Sequence, residues 1–239
     1  MITASGWGWR YAGRPTWAVR GVDLTIEDGE RVLLLGASGA GKSTVLAALT
    51  GVLGSADEGT EEGRLLIDGK HPTRVRGRVG LVMQDPESQV VLAKVGDDVA
   101  FGCENMGLPR QAIWPRVHRA LDAVGLRVPM DQPTGALSGG QKQRLAIAAA
   151  LAMQGSTADS AGPGILCLDE PTANLDPAGI VEVRDAIGRV VADRTTTLLV
   201  VEHRVDVWAD LVDRIIVLGP ERLLAEGPVA QVLAERTAE

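Results

Sequence analysis

Long apolar runs are missing from this 239-residue sequence, and none approaches the about 18 residues needed to span a bilayer. The opening MITASGWGWR also lacks the charged start and apolar stretch of a signal peptide. The expectation is a cytosolic chain that meets a membrane only through a partner. An excess of positive charge is missing too: 24 Lys and Arg stand against 31 Asp and Glu, a formal net charge of −7. That balance argues against nucleic-acid binding through a broad basic face. Cysteine is rare, and Cys103 and Cys167 form neither a CxxC pair nor a metal-like cluster. Both read as buried structural thiols in a reducing compartment. No repeat array is visible. Aromatic residues amount to 3%, five of them tryptophans, with Trp7, Trp9 and Trp17 near the start.

What is abundant is glycine, 29 residues concentrated where turns are wanted. The length suits one domain with subdivisions. The first thirty residues read as extended, broken by turn signals at AGRP and EDGE. RVLLLG is a short apolar run of the kind covered on both faces of a sheet. A glycine loop and a helix from about Lys42 to Thr50 follow it. Residues 54–64 read as a surface loop, and RLLIDGK and RVGLVMQ as a further extended pair. Helical periodicity then runs from about 95 to 153. Strand-like GILCLDE, TTTLLVVEH and DRIIVLG return afterwards, with the helical AGIVEVRDAIGRVVAD between the first two. Strands alternating with helices predict an α/β fold with a mostly parallel sheet. Lys42, Gln84, Asp169, Glu170 and His203 each lie past the end of such a strand, the edge where ligands sit in open α/β sheets.

GASGAGKST, residues 36–44, matches the phosphate-binding loop G-x-x-x-x-G-K-[ST] with a strand before and a helix after. Gly36, Ser38, Gly39 and Gly41 let backbone N–H groups turn around the β- and γ-phosphates of ATP. Lys42 neutralises them, Thr44 continues the motif, and the Ser43 hydroxyl is placed to hold Mg²⁺. ILCLDE adds two acids: Asp169 for the Mg²⁺ shell and Glu170 to orient the water that attacks the γ-phosphate. Alone, LDE would serve equally as a cap for the next helix. LSGGQKQR, residues 137–144, has a plain local reading, because Ser138 and Gln141 form an S-x-x-Q capping box for a helix running to about Met153. It also offers a second anion cradle.

GASGAGKST, Gln84, LSGGQKQR, ILCLDEPT, ANLDP and His203 together resemble the ATPase domain of ABC transporters over nearly the whole chain. The resemblance implies a RecA-like P-loop NTPase core with an antiparallel β subdomain at 1–85 and 160–239, and a helical signature subdomain at 86–159, within one domain. It implies two ATPase domains facing head to tail, each ATP held between the phosphate loop of one and Ser138, Gly139, Gly140 and Gln141 of the other. Gln84 would contact Mg²⁺ and the attacking water, Asp176 would bridge the two sites, and His203 would hydrogen-bond the γ-phosphate. A lone histidine after a strand is otherwise more often structural. Tyr11 sits where the family stacks an aromatic on adenine, with Trp9 and Trp17 as near competitors. Asn174 stands where the family usually has a small residue.

MQDPESQVVLAKVGDDVAFGCENMGLP and VEHR resemble the ATPases of energy-coupling-factor importers, which bring vitamins or transition-metal ions into prokaryotic cells. The resemblance implies a groove near Asp85 to Phe101 for a transmembrane scaffold, a separate solute-binding membrane subunit, and a second ATPase chain, identical or similar. It places the chain at the cytoplasmic face of the membrane with no nucleic-acid partner. The plain alternative for this stretch is a solvated loop before an amphipathic helix, with acids that contact nothing. Rival functions are an exporter subunit, a soluble ABC ATPase, or a small-molecule kinase or GTPase, the last contradicted by LSGGQ. Cys103 stands where the importer group commonly has proline, and QGSTADSAGPG reads as a long flexible surface loop.

Overall fold

The computed structural model describes every residue except 55–56, 76, 154–163, 220–221 and 238–239. The predicted flexible loop at QGSTADSAGPG lies outside the described residues. In chain order the elements are β1 (Ile2–Tyr11), β2 (Val19–Ile26), β3 (Arg31–Gly36), α1 (Lys42–Leu49), β4 (Gly59–Ile67), β5 (Val79–Val82), α2 (Val95–Asn105), α3 (Arg110–Ala123) and α4 (Gly139–Met153). They continue as β6 (Gly164–Asp169), α5 (Pro177–Val190), β7 (Thr196–Val201), α6 (Val205–Trp208), β8 (Arg214–Gly219), β9 (Arg222–Pro228) and α7 (Val229–Thr237). The chain divides into two compact units, one of residues 1–76 with 197–239 and one of residues 77–196.

In the first unit β3 runs parallel to both β7 and β8, and β9 closes onto β8 antiparallel. A separate antiparallel sheet has the order β2-β1-β4. Ile2, Trp7, Ile26, Leu34, Leu49 and Ile216 all face one interior, which leaves a gap of only about 20 Å³. Close packing of that kind is where most of the stabilisation resides. The predicted surface loop at 54–64 is corrected here, since Gly59 to Arg64 pair with Tyr11 to Ser5 as part of β4. Their side chains point mostly to water. An edge strand held by backbone hydrogen bonds carries no apolar alternation to read.

In the second unit β5 and β6 form a parallel pair and α4 is the central helix, packed by α2, α3 and α5. Leu145, Ile147, Ala148, Ala150 and Ala152 on α4 are all buried. Its many alanines follow from the close approach of its neighbours: a Cβ on Gly80 of β5 would stand 2.9 Å from the Ala150 Cβ. Both cysteines are buried in this unit, as expected. The Cys103 Sγ donates to the Ala152 carbonyl at 3.2 Å.

Candidate functional site

The glycine loop of the first unit leaves β3 at Gly36 and enters α1 at Lys42. Gly39 and Gly41 are left-handed, with φ of 80° and 92°. A Cβ on Gly41 would lie 2.2 Å from Val19 Cγ2 and 2.5 Å from the Ala18 carbonyl oxygen, so the loop can pass there only as glycine. No side chain caps α1. Its first turn therefore keeps its N–H groups for an outside anion. The Lys42 ammonium lies back over the loop, donating to the carbonyls of Gly36 at 2.8 Å and Ala37 at 3.0 Å. Ser38 stands at the exposed tip, and Ser43 presents its hydroxyl to solvent in the first turn of α1.

Thr44 is buried, and its hydroxyl is 3.2 Å from that of Tyr11. Tyr11 is the exposed aromatic that borders this loop, while Trp9, edge-on beneath it with centroids 6.2 Å apart, is 2% exposed and belongs to the core. Trp17 is half-buried, with the guanidiniums of Arg10 and Arg20 at 5.4 and 5.0 Å from its ring centre. Of the three aromatics weighed from sequence, Tyr11 is the one tied to the phosphate loop. His203 is exposed just past β7, the parallel neighbour of β3, and its backbone N–H donates to the buried Glu202 carboxylate at 3.1 Å.

In the second unit the pairing of β5 with β6, from Val79 with Ile165 to Val82 with Leu168, sends Gln84 and the Asp169–Glu170 pair off the same edge. Gln84 is exposed and the two acids are half-buried. Glu170 has a φ of 48°, and its carbonyl accepts the Ala173 N–H at 3.0 Å in a tight turn. A left-handed glutamate costs about 1 kcal/mol or more, the kind of strain that collects at functional positions. Burial, with the Asp169 charge nearby, pushes the Cys167 thiol up to about 12.

Ser138 and Gln141 form the expected capping box: the Ser138 N–H donates to Gln141 Oε1 at 2.9 Å, and the Gln141 N–H to Ser138 Oγ at 3.3 Å. Asp176 caps α5, its Oδ1 accepting from the Gly179 N–H at 2.8 Å. A cleft of about 240 Å³ is lined by Ser138, Gly139, Gly140, Asn174, Asp176 and Glu182, so the signature and Asp176 share one opening. Gly140 is needed for this closeness, since a Cβ there would be 3.3 Å from the Gly179 Cα. Asn174, with φ of 60°, fits a left-handed position that asparagine tolerates.

The acids of the 85–101 stretch are not idle. Asp98 is 6% exposed and accepts the N–H groups of Val91 and Leu92, both at 2.8 Å. Beside it opens an apolar groove of about 370 Å³ lined by Leu81, Val91, Phe101, Ala146, Ala150 and Met153. Asp98, Thr134, Gln89 and Lys142 organise this region, and motif reading gave none of them a role of its own. The GDD spelling at the start of α2 was the available signal, because an acid in a helix's first turn is often a cap for what precedes it.

A glycine loop between a parallel strand and a helix, in an α/β domain with a second glycine-rich helix start, defines a P-loop nucleotide-binding domain. The chain belongs to the ABC transporter ATP-binding family, whose profile, described as ABC transporter, matches residues 19–173. The energy-coupling factor transporter ATP-binding protein EcfA1 of Symbiobacterium thermophilum is 41% identical over 224 residues, 91% of this chain and 73% of that protein. An ABC transporter ATP-binding protein of Methanosarcina acetivorans is 41% identical over 221 residues, 90% of this chain but 35% of that longer protein. One from Streptomyces avermitilis is 40% identical over 230 residues, 94% of this chain and 40% of that protein. The chain thus spans well under half the length of the Methanosarcina and Streptomyces relatives and about three quarters of EcfA1.

Among solved structures, cbiO1 from Clostridium perfringens, part of the ABC transporter complex cbiONQ, matches with a TM-score of 0.83 and 33% identity over 99% of this chain and 92% of that one. The cassette MJ0796, dimeric in a post-hydrolysis state bound to ADP and Pi, matches with a TM-score of 0.77 and 25% identity over 96% of this chain and 99% of that one. The resemblance to energy-coupling-factor ATPases is borne out by these relatives. Among the described residues no helix is long and apolar enough to cross a membrane.

Proposed function

We propose that this chain binds and hydrolyses ATP to power an energy-coupling-factor-type importer of a vitamin, a vitamin precursor or a transition-metal ion. The observation that carries the reading is the pair of unlike glycine-rich helix starts: one uncapped and roofed by Lys42, the other sharing a cleft with Asp176 while its first-turn lysine, Lys142, is paired with Glu87. A cradle whose lysine is engaged elsewhere fits an ATP that a second chain brings. The chain accordingly works as a pair, with an identical copy or a similar ATPase.

In this reading Gly36, Ser38, Gly39, Gly41, Lys42, Ser43 and Thr44 hold the phosphates, Tyr11 faces the adenine, and His203 hydrogen-bonds the γ-phosphate. Glu170 orients the water that attacks the γ-phosphorus as ADP leaves. The Ser43 hydroxyl, the Asp169 carboxylate and the Gln84 amide are hard oxygen donors suited to Mg²⁺, which keeps waters and phosphate oxygens for the rest of its shell. Ser43 is exposed in the first turn of α1, Gln84 lies just past β5 and Asp169 ends its parallel partner β6, which supports these donors. The bound ion would neutralise charge on the phosphate oxygens. Partners of the complete machine are a transmembrane scaffold, seated in the groove beside Phe101, and a solute-binding membrane subunit. These hold the chain peripherally at the cytoplasmic face.

The EcfA1 relative and the cbiO1 neighbour support the importer reading. Its test is to tag the chain in its native host, solubilise membranes in mild detergent and identify what co-purifies. A membrane scaffold with a small hydrophobic binding subunit is expected. Recovery from the soluble fraction alone, with nucleic acid or ribosomes, would leave the ATPase chemistry and remove the transport assignment.

A further inference from the structure

The groove and the signature cleft lie in the same unit and share α4, and an ion pair links the turn beside the groove to the first turn of that helix. Lys142, the residue after Gln141, has a side chain only 10% exposed, and its ammonium pairs with the Glu87 carboxylate, which is 68% exposed. Glu87 belongs to a short turn at Pro86–Gln89, and Ser88, Gln89, Val90 and Val91 line the groove. We infer that Lys142 is a positioning residue: its pairing with Glu87 ties the groove-lining turn to the first turn of α4, which carries Ser138 to Gln141. The functional consequence rests on the shared-ATP reading above; the tie itself does not.

Hydrogen bonds hold the backbone on both sides of this pair. At its start the turn is closed by the Gln89 side chain, which accepts the Met83 N–H at 3.0 Å, and by Asp85, which accepts the Glu87 N–H at 3.0 Å. At its end Asp98 holds the N–H groups of Val91 and Leu92, and Thr134 spans Leu92 and Ala93 through its hydroxyl and its N–H, both at 2.9 Å. On the α4 side the Lys142 N–H donates to the Ser138 carbonyl at 2.8 Å, and Gln141 holds the Ser138 N–H. Between these anchors the Glu87 side chain is the movable part. Its head is in water, whereas the ammonium it meets is not.

That asymmetry gives the pair two distinct states. When Glu87 swings away, a largely buried ammonium loses its counter-charge, which is much costlier than breaking an exposed pair. Whatever seats in the groove and shifts the turn must therefore either keep the pair or disturb the first turn of α4. Groove occupancy and signature arrangement thereby share a coupling free energy. Glu87 is the lever because it is exposed enough to be moved, and Lys142 the fulcrum because it is not.

The test is hydrogen exchange by mass spectrometry on the full chain, read at peptides covering 84–92 and 138–146. Glu87→Gln is the main variant, since an exposed side chain can lose its charge without unfolding the unit, and melting temperature is recorded alongside. Exchange in the 138–146 peptide is expected to rise roughly fivefold at an unchanged melting temperature. Lys142→Arg alone, which keeps the positive charge opposite Glu87, should leave exchange near wild type, and the swap Glu87→Lys with Lys142→Glu should recover part of what Glu87→Gln loses. Unchanged exchange in 138–146 with Glu87→Gln would overturn the inference, as would a swap no better than Glu87→Gln alone.

A second readout uses the Glu170→Gln chain with ATP. Adding Glu87→Gln should raise the ATP concentration for half-maximal dimer several-fold while binding of a fluorescent ATP analogue to one chain is unchanged. An equal requirement for ATP would overturn the functional consequence. No dimer from Glu170→Gln itself would remove the shared-ATP reading, and the exchange measurement would still decide the tie.

Discussion

Two helices in this protein begin on glycines, and they solve the same problem in opposite ways. α1 starts from Gly41, which has no side chain to offer its free N–H groups, and Lys42 supplies the positive charge over the loop. α4 starts from Ser138, and the serine and Gln141 satisfy two N–H groups from within the chain. The first is a site unfinished without an anion. The second is a stable helix start whose exposed Ser138 and Gly139 remain available to a ligand held mainly elsewhere. Glycine at 41 is dictated by the fold, because any Cβ there collides with Val19 and Ala18. Glycine at 139 is not: its Cβ would meet only Leu175 Cδ2 at 3.4 Å, an ordinary contact.

The contrast can be broken at four places. The largest effect is expected at Glu170: replacing it with Gln should slow phosphate release by about 10²- to 10⁴-fold while ATP still binds. A loss of less than tenfold would move the water-orienting role to another residue. Next, Lys42→Ala should weaken ATP binding about a hundredfold in calorimetry, since it removes charge-assisted contacts to the phosphates. Retained tight binding would sink the phosphate-loop assignment.

Third, Gly41→Ala should cost about 2–3 kcal/mol in denaturant unfolding, from a left-handed backbone and a direct clash. Gly139→Ala should stay within about 0.5 kcal/mol of wild type yet block ATP-dependent pairing. Equal stability losses at the two positions would erase the distinction. The fourth place is Cys167, where the effect appears only at alkaline pH. Its thiol is raised by burial to about 12, so the folded chain holds the proton more tightly than the unfolded one. The associated stability is complete below the ordinary value near 9 and falls, by about 1 kcal/mol per pH unit, as pH rises from there toward 12. The stability gap between wild type and Cys167→Ala should narrow over that range, and an unchanged gap would contradict the burial.

Legibility followed the physics of each element. β3, β6, β7 and β8 are buried apolar runs, and their spelling alone identified them. β4 and β9 lie at sheet edges with largely exposed side chains, and a strand whose support is backbone pairing leaves little trace in hydropathy. The phosphate loop and the capping box were readable because each depends on a few adjacent residues. The ties of Asp98 to Val91 and Leu92, and of Lys142 to Glu87, 55 positions apart, depend on tertiary placement and could not be read that way.

The measurement that bears most directly on the two cradles is complementation between chains. Lys42→Ala and Ser138→Arg chains, both also carrying Glu170→Gln, would be mixed with ATP and the mass and nucleotide content of any complex determined. If each ATP is shared, neither variant pairs with itself, and the mixture yields a heterodimer holding a single ATP, between the intact loop of one chain and the intact signature of the other. If the Ser138→Arg chain binds ATP but no heterodimer forms, the second cradle does not serve a neighbour's nucleotide.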